Sequence, residues 1–164
     1  MKTVRRLLIF IVFSLLIVCY SRYRDVTGVF STDNDFRTIT NYLIIHSDEI
    51  YRETCVKEID DYHRDTCGWS CGFAYNIYVK DGKVYQVHKL DAALAHTIGY
   101  NHQAVGICFH AADKNDFQTQ LALIITIKFL MIKYNIPKER VVGHCDLNAT
   151  KCPGIDLNKL KRWL

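Results

Sequence analysis

The chain has 164 residues, of which 49% are hydrophobic and 12% aromatic; that supports one compact core and is too little for two. Its formal net charge of +4 is accounted for by Lys2, Arg5, Arg6, Arg22 and Arg24 against Asp25, and the remainder balances 16 basic against 16 acidic side chains. A near-neutral domain has no broad basic face, so nucleic acid is not an expected partner.

Taken in chain order, residues 1–24 read as a membrane-targeting segment. Lys2, Arg5 and Arg6 precede Leu7 to Tyr20, a run of 14 residues that is apolar except for Ser14. A spanning helix needs about 17–25 residues, which the run reaches by including its flanks. No small-residue cleavage site precedes Tyr20, so an uncleaved signal anchor is the reading taken. A cleaved signal peptide and a lipoprotein anchored at Cys19 are the alternatives. In each case the domain is exported, facing the periplasm or cell envelope, or secreted if the segment is removed. Residues 25–38 are polar and mixed and read as a tether, and residues 39–164 form the domain.

Tyr42 to Ile45 is a β-branched apolar run and predicts a buried strand ending at His46. Residues 54–64 carry helical spacing, and Cys67 to Gly72 is a loop. Phe73 to Val79 and Val84 to Val87 bracket Asp81-Gly82, a hairpin signal. Leu90 to His102 predicts a long loop with a short helical turn, and Ala104 to Phe109 a second buried strand. Asp116 to Tyr134 is the longest helix, apolar around much of its circumference and stopped by Asn135-Ile136-Pro137. Val141-Val142 opens a last strand, and Ile155 to Trp163 a short helix. The order predicts an α/β fold with a mixed central sheet flanked by helices. Six of the seven cysteines lie in the domain; export permits disulfides, and Cys67 and Cys71 either pair in their loop or stand as free thiols.

Two segments at strand ends carry donors for a metal. One is His46; the other is Gly143-His144-Cys145-Asp146 followed by Cys152-Pro153-Gly154. Imidazole and thiolate both suit zinc, and three protein ligands leave a fourth position open for chemistry. Around these lie Ile59-Asp60-Asp61-Tyr62-His63-Arg64, Gly68-Trp69, Ala74-Tyr75-Asn76-Ile77, Ala95-His96-Thr97 with Asn101, and Val105-Gly106-Ile107. In this order the segments resemble the zinc-dependent N-acetylmuramoyl-L-alanine amidases, a family that includes phage endolysins and peptidoglycan recognition proteins. The resemblance covers roughly residues 40–158.

The resemblance implies zinc held by His46, His144 and Cys152, with Tyr75 beside the metal water and Thr150 placed to stabilise the oxyanion. It places His96 and Asn101 on a loop lining the substrate groove. It implies hydrolysis of the amide between N-acetylmuramic acid and L-alanine in peptidoglycan, by an enzyme expected to act as a monomer. The alternative is a non-catalytic peptidoglycan-binding receptor of the same fold, which Cys152 disfavours because such receptors often lack that ligand. Cys145 departs from the arginine usual in the family and reads as a packed residue or a disulfide partner, less readily as a stray ligand. His63 reads as structural, and His88, His102 and His110 as surface or strand-end polar residues.

Overall fold

The computed structural model describes residues 22–29, 35–50 and 52–164; most of the membrane-targeting segment, Cys19 included, lies outside the described residues. Among these residues no helix is long and apolar enough to cross a membrane. Six strands, β1 (Tyr23–Asp25), β2 (Tyr42–Ser47), β3 (Ile77–Lys80), β4 (Lys83–Gln86), β5 (Ala104–Phe109) and β6 (Val141–Gly143), form one sheet in the order β1-β4-β3-β5-β2-β6. All neighbours run parallel except the β3–β4 hairpin. Helices α1 (Val56–Asp65), α2 (Phe117–Tyr134) and α3 (Leu157–Lys161) complete the expected mixed α/β fold.

The β-branched runs become the central strands because parallel strands covered on both faces tolerate no polar alternation. Leu43, Ile45, Val79, Val105, Ile107 and Phe109 turn to one face, against Leu123, Ile127 and Leu130 of α2. Each such side chain contributes about 1.5–3 kcal/mol on burial. Tyr78 and Cys108 turn to the other face, against Ile59 of α1 and Phe73. The register sets His46 beside Cys108, and Cys108 beside Tyr78. His46 therefore lies on the α1 face, at the carboxyl end of β2.

Local chemistry fixes the element ends. Asp81 and Gly82 both have positive φ, 50° and 65°, as a two-residue hairpin turn requires. The turn is tied to its surroundings by Gly82 N–H donating to Thr119 Oγ1 at 3.0 Å and Asp81 N–H to Asp113 Oδ2 at 2.8 Å. Asp116 caps α2 by accepting the Thr119 amide at 2.7 Å, and Asn135 ends it in the left-handed region, where asparagine is tolerated.

Two local expectations differ. Residues 90–102 contain hydrogen-bonded turns, such as Tyr100 N–H to Thr97 O at 3.0 Å, and no helical turn. The boundary read between membrane segment and tether falls inside a strand: β1 takes Tyr23 and Arg24 from residues 1–24 and Asp25 from the tether, and it pairs with β4; at the tether's other end, buried Arg37 donates to the Leu90 and Ala92 carbonyls. Only the folded chain supplies those carbonyls, so composition alone gave a tether.

Candidate metal centre

His46, His144 and Cys152 come from three separate places and converge. His46 ends β2 and is 0% exposed. His144 opens the 3-10 turn His144–Asp146 directly after β6, which pairs with β2. Cys152 is buried and is brought back by the Cys145 amide donating to its carbonyl at 2.8 Å. One donor atom from each lies within 4.8 Å of the others, and Cys152 Sγ is 3.8 Å from His46 Nδ1. Tetrahedral zinc with bonds of about 2.0–2.3 Å separates its ligand atoms by roughly 3.3–3.8 Å, so the set fits zinc after small side-chain adjustments.

The nitrogens facing away are already occupied, which fixes the tautomers. Asn148 Nδ2 donates to the Leu147 carbonyl at 2.9 Å, which leaves Oδ1 as the acceptor 3.2 Å from His144 Nε2. His144 Nδ1 is then the lone pair. His46 Nε2 lies 3.2 Å from His96 Nδ1 and 3.3 Å from Thr97 Oγ1, and Thr97 Oγ1 is 2.9 Å from His96 Nδ1. A proton on His46 Nε2 satisfies both neighbours and leaves Nδ1 for the metal.

Electrostatics hold these rings neutral. Burial lowers the His46 pKa well below the usual histidine range, and the neighbouring His96 and His144 lower it further. Burial likewise lowers His144 and pushes His96 down to about 3. Burial raises the Cys152 thiol to about 11, against the Ser47 amide that donates to its sulfur. A metal ligand must be deprotonated, so metal binding displaces that proton.

His96 therefore sits behind the metal set. The sequence placed it on the wall of the groove; the structure corrects this, because the ring is 5% exposed and packs on Gly106, where a Cβ would come within 2.9 Å of His96 Cγ. Removing His96 leaves His46 Nε2 with only the longer contact to Thr97 Oγ1, and outer partners of this kind carry about 10–100-fold in metal affinity. His96→Ala is expected to weaken zinc binding by that factor in a chelator competition titration. Gly106→Ala is expected to displace the same ring, weakening zinc binding and costing about 1–3 kcal/mol in denaturant unfolding. Unchanged zinc affinity in both variants would dismiss the positioning role.

Tyr75 lies beside the set, its ring centroid 4.9 Å from that of His46. Burial, then the Cys108 and Cys152 sulfurs and the Asp48 and Glu49 carboxylates, raise its phenol well above the usual tyrosine range, so it is a hydrogen-bond donor at neutral pH. Thr150 Oγ1 accepts the Cys152 amide at 3.2 Å, which ties the hydroxyl to the main chain of the cysteine and leaves its O–H to donate. Asn101 is a loop brace: its Oδ1 accepts the Thr97 amide at 2.8 Å. It also lines a shallow depression of about 400 Å3 with Gly68 and Trp69. A second cleft, about 430 Å3, is lined by Tyr75, His63, Tyr62, Glu49 and Arg52 among others. Trp69 of the first and His63 of the second lie 4.8 Å apart, centroid to centroid.

The remaining sequence candidates resolve individually. His63 is structural as expected: it is buried, and its Nδ1 bonds within the loop at Gly72 O, 3.1 Å, and Ala74 N, 3.2 Å. Cys145 is exposed and Cys67 and Cys71 are unbonded, so the packed and disulfide readings of Cys145 give way to a free thiol outside the donor cluster. His88 and His110 are buried rather than at the surface; His102 is exposed. His110 Nδ1 and the Tyr78 hydroxyl both meet Asp48 Oδ2, at 2.8 and 2.6 Å. This polar group joins the residues just past β2 and β5 to Tyr78 within β3, and the sequence reading missed it. Its only sequence signal is the acid two residues beyond His46.

The same burial has a pH consequence. Lowered pKa values at His46, His63, His88 and His96 mean that the folded chain binds fewer protons than the unfolded one. Their stabilisation is complete above the unfolded value of about 6.5 and is lost as pH falls below it, the His96 share continuing down to about 3. The Tm of metal-free protein is expected to drop steadily from pH 7 to pH 5 in scanning calorimetry. A flat Tm over that interval would mean that these rings accept protons in the fold.

A peptidoglycan recognition protein of Trichoplusia ni is 33% identical over 114 residues, 66% of this chain and 62% of the relative. The endolysin of Enterobacteria phage T3 is 31% identical over 66% of this chain and 73% of its own length. The chain spans less than two thirds of the length of the first of these relatives. The solved N-acetylmuramoyl-L-alanine amidase LysC from Clostridium intestinale superposes with a TM-score of 0.75 at 27% identity, covering 85% of this chain and 95% of LysC. The profile of the N-acetylmuramoyl-L-alanine amidase family, Amidase_2, matches residues 35–155, and the chain belongs to that family.

Proposed function

We propose that the domain is a zinc-dependent enzyme that hydrolyses the amide between N-acetylmuramic acid and L-alanine in peptidoglycan. The observation that carries the reading is the convergence of two imidazoles and a thiol, with their far nitrogens occupied, next to Tyr75 and an open cleft. We further propose that the residues ahead of Arg22, which the domain's sheet does not claim, anchor the chain in a membrane and that the domain acts outside it.

When bound, zinc supplies a Lewis acid that lowers the pKa of a coordinated water to near 7. Everything else falls to side chains. The cleft holds the peptide stem so that the lactyl carbonyl lies over the three ligands. The Thr150 hydroxyl donates to the carbonyl oxygen as negative charge develops there. Protonated Tyr75 donates to the same oxygen or holds the water that carries a proton to the leaving alanine nitrogen. The C–N bond breaks, a C–O bond forms, and one water is consumed.

A second reading, a receptor that binds without cutting, draws support from relatives such as the Drosophila recognition protein solved with tracheal cytotoxin. Cys152 favours the enzyme, because a binding site does not need a third metal ligand. Full-length protein in detergent, incubated with purified peptidoglycan and zinc, is expected to leave intact glycan strands and release peptides that begin with L-alanine, read by mass spectrometry. Retention on peptidoglycan with no released peptide would support the receptor instead.

A further inference from the structure

The solvent side of α2 is unusual. Phe117, Leu121, Phe129 and Ile132 are exposed, at 74, 36, 57 and 84%, and helical geometry puts them, with half-buried Ile125, on one side. From Phe117 to Ile132 the stripe runs about 22 Å. An apolar stripe of this extent on the outside of a domain marks a contact surface.

The chain itself indicates what covers it. Arg22 Nη2 donates to Gln118 Oε1 at 2.9 Å, and β1 follows at once on the sheet edge. The apolar run ends at Tyr20, so a single residue, Ser21, and at most about 7 Å of chain separate it from Arg22, whose side chain is held at Gln118. No slack remains to lift the domain away from whatever surface receives residues 7–20. Lys128, exposed within the stripe, suits an anionic headgroup.

We propose that the outward apolar face of α2 seats the domain on the lipid surface, with the helix lying in the membrane interface. The proposal rests on the reading of the residues ahead of Arg22 as a membrane anchor. Its consequence is orientation. α2 covers one face of the sheet, and His46 lies on the other with α1, so a domain seated through α2 turns its metal site away from the bilayer. Apolar helix faces seat about 5–10 Å into the headgroup boundary, enough to cover these four side chains.

The test uses full-length protein in vesicles of phosphatidylethanolamine and phosphatidylglycerol. A benzophenone amino acid replaces Phe129, Ile132 or, as control, Tyr62 on α1; after irradiation the adducts are identified by mass spectrometry. Lipid adducts at 129 and 132 and none at 62 are expected. Adducts to residues 7–20, or to a second copy of the chain, would overturn the proposal by naming another occupant. Protein that floats with the vesicles yet gives no lipid adduct at 129 or 132 overturns it while the anchor reading stands. Protein that fails to float overturns both. None of these outcomes bears on hydrolysis, which peptide release measures separately.

Discussion

Cys152→Ala is expected to abolish zinc retention and peptide release together, while Cys145→Ala retains both. Cys152 supplies the one donor that carries charge when deprotonated, and its thiol sits 3.8 Å from His46 Nδ1. Two neutral imidazoles alone hold zinc far more weakly. Without the ion, water keeps its ordinary, far higher pKa, and the hydroxide available at neutral pH falls by about eight orders of magnitude. Activity is then indistinguishable from the no-enzyme control. Cys145 shares a backbone hydrogen bond with Cys152 but is exposed and lies outside the donor cluster. Elemental analysis of the two purified variants separates the cases, and zinc loss on replacing Cys145 would overturn the ligand assignment. Circular dichroism on each variant separates metal loss from unfolding.

Tyr75→Phe is expected to lower kcat by about 10²–10⁴-fold with zinc content unchanged. The substitution removes one oxygen and keeps the ring, so the contacts with His46 and Phe73 persist. Burial keeps the phenol protonated, and the lost function is donation, during proton transfer or at the carbonyl oxygen. A loss confined to KM would make Tyr75 a substrate contact instead. Retention of full kcat would remove it from the mechanism.

The fold was legible where one period dominates. The runs at Tyr42–Ile45 and Ala104–Phe109 are apolar on both sides of the strand, and Asp81-Gly82 is a turn that few other pairs can make. The metal ligands were legible because donor type and strand-end position coincide. What could not be read was the environment of a polar residue. His96 and Asn101 were visible as a pair, but only the packing of His96 on Gly106 shows that the ring braces His46 and does not face the substrate. The Asp48, Tyr78 and His110 group joins the residues just past β2 and β5 to a residue of β3, and nothing in their spacing along the chain announces it. Arg37 was hidden for the same reason, since its acceptors are main-chain carbonyls more than fifty residues away.

The strand at Tyr23–Asp25 has a practical meaning for handling the protein. It occupies the outer side of β4 through Tyr23, Arg24 and Asp25 opposite Val84, Tyr85 and Gln86. A shortened protein that begins at Val26 would bare that row of amides and carbonyls, an open template for edge-to-edge self-association. A soluble version is therefore best cut ahead of Arg22, where the chain's own residues still close the sheet.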